Sequence, residues 1–104
     1  MKRVQAVIKP ERLAPVQHKL AEAGFIGIIV HDVRGHGSEA EPSGEYRGVV
    51  FAMTVKHKLF IDLLVEDDEV AAVVAIIRDQ AKTQEHGDGL VFVLDCAAAY
   101  PIGD

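Results

Sequence analysis

Two kinds of apolar spacing alternate along this chain, and the alternation runs through twice, which leaves few folds open. A short β-prone run, Val4-Gln5-Ala6-Val7-Ile8, stops at Lys9-Pro10. Proline there removes a backbone donor and suits the first turn of a helix. Leu13, Val16, Leu20 and Ala23 then recur at helical spacing, with Gly24 as the C-terminal stop. Pro15 fits that helix if it starts near Glu11 or Arg12, because the first helical N–H groups lack partners within the helix. Phe25 to Val33 is rich in isoleucine and valine on both faces and reads as a buried strand.

From Gly35 to Lys56 the pattern fails. Ser38, Glu39, Glu41, Pro42, Ser43, Gly44 and Glu45 make a polar, breaker-rich stretch with Val49 to Met53 inside it, and the Pro42-Ser43-Gly44 centre argues for mobility. A loop of such length in a small domain is usually functional or mobile. Leu59 to Val65 is strand-like again. Glu66-Asp67-Asp68-Glu69 places acids where a helix N-terminus favours them, and Val70, Val73, Val74, Ile76, Ile77 and Ala81 supply an apolar helix face ending near Lys82. Leu90 to Leu94 is the last strong strand. The chain therefore reads as one α+β domain over residues 1–104, βαβ-βαβ, with a long loop between strands 2 and 3. Its natural solution is a ferredoxin-like sandwich: a four-stranded antiparallel sheet with both helices on one face. The other face needs covering, which predicts a homo-oligomer.

Charge and composition narrow the partners. The formal net charge is −5 and no basic cluster is longer than Lys2-Arg3, so the footprint of a nucleic-acid binder is missing. Cys96 is the only cysteine, which excludes an internal disulfide or a cysteine-built zinc site and suits a reducing compartment. A disulfide to a second subunit stays open. No signal-peptide pattern follows Met1-Lys2-Arg3, and no apolar run is long enough to span a membrane, so a cytoplasmic protein without membrane insertion is expected. Cys96 lies among Ala97-Ala98-Ala99 with no nearby base, and no Ser/His/Asp or Cys/His arrangement has strand-turn context, so no enzyme is expected.

Gly35-His36-Gly37 and Gly87-Asp88-Gly89 each sit where a predicted strand meets a loop, in corresponding halves of the chain. Glycines at such places let backbone approach a ligand closely, which suggests one site built from two loops. The plainer reading is a pair of ordinary turns, since Gly and Asp favour tight turns for local reasons.

The junction residues match a known pattern. Met1-Lys2 with Ala6-Val7-Ile8-Lys9-Pro10, Val33-Arg34-Gly35-His36-Gly37, Glu45-Tyr46-Arg47-Gly48, Lys58, and Gly87-Asp88-Gly89 followed by Val91-Phe92-Val93 resemble the PII signal-transduction (nitrogen regulatory P-II) family over essentially the whole chain. The resemblance implies a homotrimer of ferredoxin-like subunits with nucleotide sites in the clefts between subunits and no catalysis. It also implies a loop, here about 37–55, that engages partner proteins, a membrane transporter among the candidates. Gly35, His36, Gly37, Ser38, Gly87, Asp88, Gly89 and Leu90 would bind nucleotide, their backbone N–H groups turned to phosphates. Glu39 and Lys58 would meet a second effector, which in the family is 2-oxoglutarate beside magnesium-ATP.

This chain departs from the family where phosphate is held. Ser38, Leu90, Pro101 and Gly103 stand where the resemblance predicts cations. Charge-assisted contacts are about twice as strong as neutral ones, so triphosphate binding should suffer more than adenosine or monophosphate binding. The resident effector is left open, with ADP, AMP or ATP as the adenine-nucleotide candidates. Glu39 replaces a glutamine and would repel a dianionic acid, and Ile29 replaces a threonine that contacts adenine. Phe51 takes the place of a loop tyrosine that some members have uridylylated.

Histidine carries a competing idea. His36, His57 and His86 lie at or beside the expected cleft, near Glu39, Glu85 and Asp88 in sequence, and imidazole is a common metal ligand. The alternative is thus a metal-responsive trimer, although the spacing matches no ligand motif and leaves a metal set undefined. His18 and His31 read as helix-surface and strand residues, Arg34 and Arg47 as loop-anchoring ion pairs, and Asp62 as a strand residue facing a subunit neighbour.

Overall fold

Lys2–Ile8 forms the central strand, β1, of a computed structural model that describes residues 1–33, 43–46, 49–52, 57–85 and 88–103. Lys9-Pro10 ends the strand as expected, and a 3₁₀ turn over Pro10–Arg12 leads into α1, Leu13–Glu22. Proline at the start of that turn forfeits no helical bond. Pro15 falls in the first turn of α1, among N–H groups that need no partner within the helix. The helix stops at Gly24, whose φ of +94° is a conformation that glycine adopts without a Cβ penalty. Phe25 N–H donates to the Leu20 carbonyl at 2.8 Å and Gly24 N–H to Ala21 at 3.0 Å, so the last turn is closed by a Schellman pattern.

β2 is Ile29–Val33, β5 is Lys58–Val65 and β6 is Leu90–Asp95. With β1 they form a four-stranded sheet in the order β2-β5-β1-β6, every neighbour antiparallel. Glu69 Oε1 accepts the Glu66 N–H at 2.8 Å, closing the start of the 3₁₀ turn Asp67–Glu69 that opens α2, Val70–Ala81. This is the βαβ-βαβ order that the two apolar periods predict.

The core lies between the sheet and both helices. Register places Val4 opposite Leu63 and Val93, and Ala6 opposite Ile61 and Val91. Val4, Ala6, Ile8, Val65, Ile61 and Leu63 from the strands meet Val16, Leu20, Val73, Ile77 and Ala81 from the helices. Each of Ile8, Leu20, Ile61 and Ile77 is fully buried, worth about 2–3 kcal/mol per side chain. Phe25 and Ile28 pack against this cluster from the chain that crosses between α1 and β2.

Two sequence expectations are corrected. Phe25 to Val33 is not a buried strand in the protomer: pairing begins only at Ile29, and β2 is an edge strand bonded to β5 alone. Residues 25–28 are used in crossing from the Schellman turn to the sheet edge, and Ile26 and Ile29 stay 83% and 59% exposed. The stretch expected to be a loop contains regular structure, since β3, Ser43–Tyr46, pairs antiparallel with β4, Val49–Ala52, in a separate two-stranded sheet. Ser43 and Gly44, expected to lie at a mobile loop centre, are strand residues opposite Ala52 and Phe51. Among the described residues no helix is long and apolar enough to cross a membrane.

Candidate effector site at the second glycine turn

The chain after α2 is bent back onto the sheet by hydrogen bonds that converge on Asp88. Its carboxylate accepts the Thr83 N–H at 2.7 Å and the Thr83 hydroxyl, while Lys9 Nζ stands 3.3 Å from it. Lys9 also reaches Thr83 Oγ1 at 3.3 Å and Glu85 at 3.5 Å, and Thr83 Oγ1 accepts the Glu85 N–H at 3.0 Å. Burial alone would raise the Asp88 pKa, but the two Thr83 donors and Lys9 hold it below the ordinary carboxylate value. For Lys9 burial works against the charge, and Asp88 and Glu85 outweigh it, so its pKa is raised.

Gly89 has φ +123°, and a Cβ built on it would stand 1.7 Å from the Val7 carbonyl oxygen. Glycine here is therefore required by the neighbouring strand, whatever approaches from outside. That intramolecular contact supplies a reason for this glycine which the sequence, read for close approach to a ligand, did not anticipate. Leu90 follows as the first residue of β6, opposite Val7.

Lys58 opens β5 opposite Val33 and is only 3% exposed. Its pKa is lowered, first by burial and next by the positive charge of Lys9, against the pull of Asp88 and Glu11. Register puts the end of β1, the start of β5 and the start of β6 at one end of the sheet, through Ile8 opposite Leu59 and Val7 opposite Leu90. Lys9, Lys58, Asp88, Gly89 and Leu90 consequently share that end. The chain leaves β2 and returns to β5 there too, so the segment carrying β3 and β4 is rooted beside the same charges.

Beside the turn a cleft of about 830 Å³ runs between the second half of α2 and the start of β6. Ile8, Val74, Ile77, Leu90 and Val91 give it apolar walls, and Arg78, Asp79, Lys82 and Asp88 bring charge. Such a mixture, mostly apolar with a few polar groups, is common to small-molecule sites.

Of the residues expected to form the site, Asp88, Gly89, Leu90 and Lys58 come together at this end of the sheet. Gly35, His36, Gly37, Ser38, Glu39 and Gly87 lie outside the described residues, as do His86, Arg34 and Arg47. Sequence reading missed Lys9 and Thr83. Lys9 was legible only as the residue that ends β1, and Thr83 stands five positions before Asp88 with no motif to join them.

The remaining histidines have local partners. His57 Nε2 lies 2.5 Å from Asp32 Oδ1, His18 pairs with Glu22 at 2.9 Å on α1, and His31 meets Phe60 edge-on with ring centroids 5.9 Å apart. Among the described residues no group of His, Cys, Asp and Glu is arranged to hold a metal ion. Cys96 donates its thiol to the Ala98 carbonyl at 3.3 Å. Asp62 is 8% exposed on the helix-free face of the sheet, accepting from Arg3 at 2.6 Å and Gln5 at 3.1 Å.

Together these features define a class: a ferredoxin-like sandwich in which a long inserted segment, a fastened turn and a charged cluster meet at one sheet end. Comparison with known sequences gives that class its family. The sequence profile of the family described as Nitrogen regulatory protein P-II matches residues 1–102. The chain is 39% identical over 93 residues to the nitrogen regulatory protein P-II of Microchaete diplosiphon, covering 89% of this chain and 83% of that protein. Against nitrogen regulatory protein P-II 1 of Escherichia coli K12 it is 38% identical over 97 residues, covering 93% and 87%. The chain belongs to the P-II family of signalling regulators.

Proposed function

We propose that this chain works as a P-II-type regulator: it senses a small anionic effector, an adenine nucleotide in the first instance, in clefts between the subunits of a homotrimer. The segment 37–55 then reports the state of the cleft to a partner protein in the cytoplasm, such as a membrane transporter. The observation that carries the reading is Asp88 of the second glycine sandwich, which Thr83 and Lys9 fasten beside a cleft of about 830 Å³. A turn fixed by its own side chains can present backbone groups to a ligand without an ordering penalty at the moment of binding.

Two further observations support it. The helix-free face carries Ile29 and Leu64 at 59% and 45% exposure, an apolar surface that a second and third copy would cover. Lys58 is a buried cation beside Lys9 at the foot of the inserted segment, so an anion that meets it would act where that segment is rooted. Gly35, His36, Gly37, Ser38 and Glu39 would complete the site from the first turn, with Ser38 and Leu90 leaving a triphosphate poorly held.

Calorimetric titration with ATP, ADP, AMP and 2-oxoglutarate, alongside mass measurement in solution, tests the reading. Nucleotide binding by a trimer is expected, with 2-oxoglutarate weak or silent. A chain that runs as a monomer and takes up no nucleotide would sink it.

A further inference from the structure

Two lysines meet where β1 ends and β5 begins. The register that sets Val7 opposite Phe60 and Ile8 opposite Leu59 carries one residue further to Lys9 opposite Lys58. Lys9 keeps an extended backbone, with φ −70° and ψ 142°, so the alignment persists past the last ladder pair. Like charges set directly opposite in a sheet destabilise it. The two side chains answer this differently. Lys9 has Asp88 at 3.3 Å and Glu85 at 3.5 Å, and its pKa is raised. Lys58 is 3% exposed, and burial followed by the charge of Lys9 lowers its pKa, although Asp88 and Glu11 pull the other way. Lys2, which is paired with Asp95, is shifted upward like Lys9.

We propose that Lys58 is a site of reversible carbamate formation, its side-chain nitrogen taking up carbon dioxide with Lys9 as the counter-cation. A lysine is a nucleophile only as the free amine, and desolvation next to a second cation is the arrangement that enlarges the free-amine fraction. The nitrogen lone pair forms an N–C bond to the carbon of carbon dioxide, one C=O π pair withdraws to oxygen, and the nitrogen loses a proton to water. Nothing is oxidised or reduced, and the reverse step restores the amine. Burial selects the reactant, because a side chain so enclosed leaves little room for a larger carbonyl compound, and carbon dioxide brings no charge to desolvate. The product sets an anion opposite Lys9 where a cation stood, which turns a repulsion into an ion pair. Asp88 is also held by both Thr83 donors, so Lys9 can serve a second anion without releasing it altogether. Lys58 opens β5 where the inserted segment returns to the sheet, so the reversal of charge falls at the root of that segment. The inference does not need the nucleotide reading, and carbamate formation would compete with any anion that holds Lys58 as a cation.

The intact protein is equilibrated with isotope-labelled carbon dioxide and bicarbonate at neutral and mildly alkaline pH and followed by carbon NMR. In parallel the carbamate is trapped as its ethyl ester with triethyloxonium and located by peptide mass spectrometry. Lys58→Arg keeps the charge and removes the nucleophile, Lys9→Gln removes the counter-cation, and Lys19→Arg, on the exposed face of α1, is the control. Trapped label is expected on Lys58, absent from Lys58→Arg, unchanged in Lys19→Arg and lost when carbon dioxide is withdrawn. Lys9→Gln should lower it about tenfold, the scale of one charge-assisted hydrogen bond. Location of the ester in the unaltered protein decides the matter should Lys58→Arg not fold. No trapped label in the unaltered protein, or label on exposed lysines and the N-terminal amine alone, overturns the proposal. Label on Lys58 that is indifferent to Lys9→Gln overturns the role of Lys9. Nucleotide titration of the same preparation is a separate measurement, so the failure of either reading leaves the other standing.

Discussion

Alternate residues of the same strands build the two faces of the sheet, yet only one face is finished within the protomer. Ile61 and Asp62 are chain neighbours in β5: Ile61 points under the helices and is fully buried, while Asp62 faces the side without helices. Under the helices the described core residues, from Val4 and Ile61 to Leu20 and Ile77, are apolar and buried. On the other face Arg3, Gln5 and Asp62 form a hydrogen-bonded centre, with Ile29 and Leu64 left open around it. A polar centre in which only Asp62 is buried, framed by exposed apolar groups, is the kind of surface that the proposed trimer would cover, whereas the helix face already holds a packed core. The contrast teaches that the stability of the single chain and the surface on which the proposed trimer would form lie on opposite sides of one strand, and single substitutions should separate them.

The largest effect is expected at neither face but where β6 begins. Gly89→Ala would drive a Cβ into the Val7 carbonyl in a backbone conformation that side chains rarely adopt. Folded protein should fail to accumulate, or thermal unfolding should show a loss above about 4 kcal/mol, in the exceptional range for one substitution. A mild effect would mean that the turn can swing away from β1. Next comes Ile61→Ala, which leaves a cavity among Ala6, Val30 and Val91 in register and should cost about 2–5 kcal/mol in denaturant unfolding. That loss should appear at any protein concentration, because the helix face owes nothing to a second copy.

Asp62 sharpens the contrast from the other side. Burial would raise its pKa, but hydrogen bonds from Arg3 and Gln5 and the charge of Arg3 hold it below the ordinary value of 3.8. A depressed folded-state pKa contributes stability that is complete above the unfolded value and is lost as pH falls through the folded one. Thermal unfolding followed from neutral pH into acid should therefore show a decline below about pH 4, shallower in Asp62→Asn, which keeps an acceptor for Arg3 but cannot titrate. Solution mass of the same variant at neutral pH reads its effect on assembly. An unchanged acid profile would mean that Asp67, Asp88 and Asp95, likewise depressed, carry the acid response without Asp62.

Helices and core strands were legible because their signals are local: the spacing of Leu13, Val16 and Leu20, the glycine stop, the acids ahead of Val70. β2 was legible in kind and not in place, since an isoleucine-rich run looks the same whether a strand is central or at an edge. The hairpin was missed because Ser43-Gly44 carries breakers, although Arg47-Gly48 between β-prone residues has the spacing of a two-residue connection. Asp88 and Gly89 stood out in the sequence, but the contacts that fix them did not. Gly89 answers to Val7 and Asp88 to Thr83 and Lys9, contacts that depend on which strands become neighbours. Arg78 was invisible for the same reason, since only packing of α2 beside β6 brings it to the cleft.

The smallest expected effect concerns the root of the inserted segment. Asp32 is the last residue but one of β2 and His57 precedes β5, so their contact at 2.5 Å ties the chain where it leaves the sheet to the chain where it returns. Both side chains are about half exposed, and pairs in such surroundings contribute about 0–1 kcal/mol. His57→Ala should therefore shift thermal unfolding by a degree or two at most, far less than Ile61→Ala. Its consequence belongs to the segment 34–56 and not to the core, so limited proteolysis within that segment should quicken while the sheet resists as before. Equal protection in variant and parent would mean that the β2–β5 ladder alone fixes the root. A large loss of stability would place His57 among the residues that hold the sheet together, and the division between finished and unfinished parts of the protomer would have to be redrawn at that end.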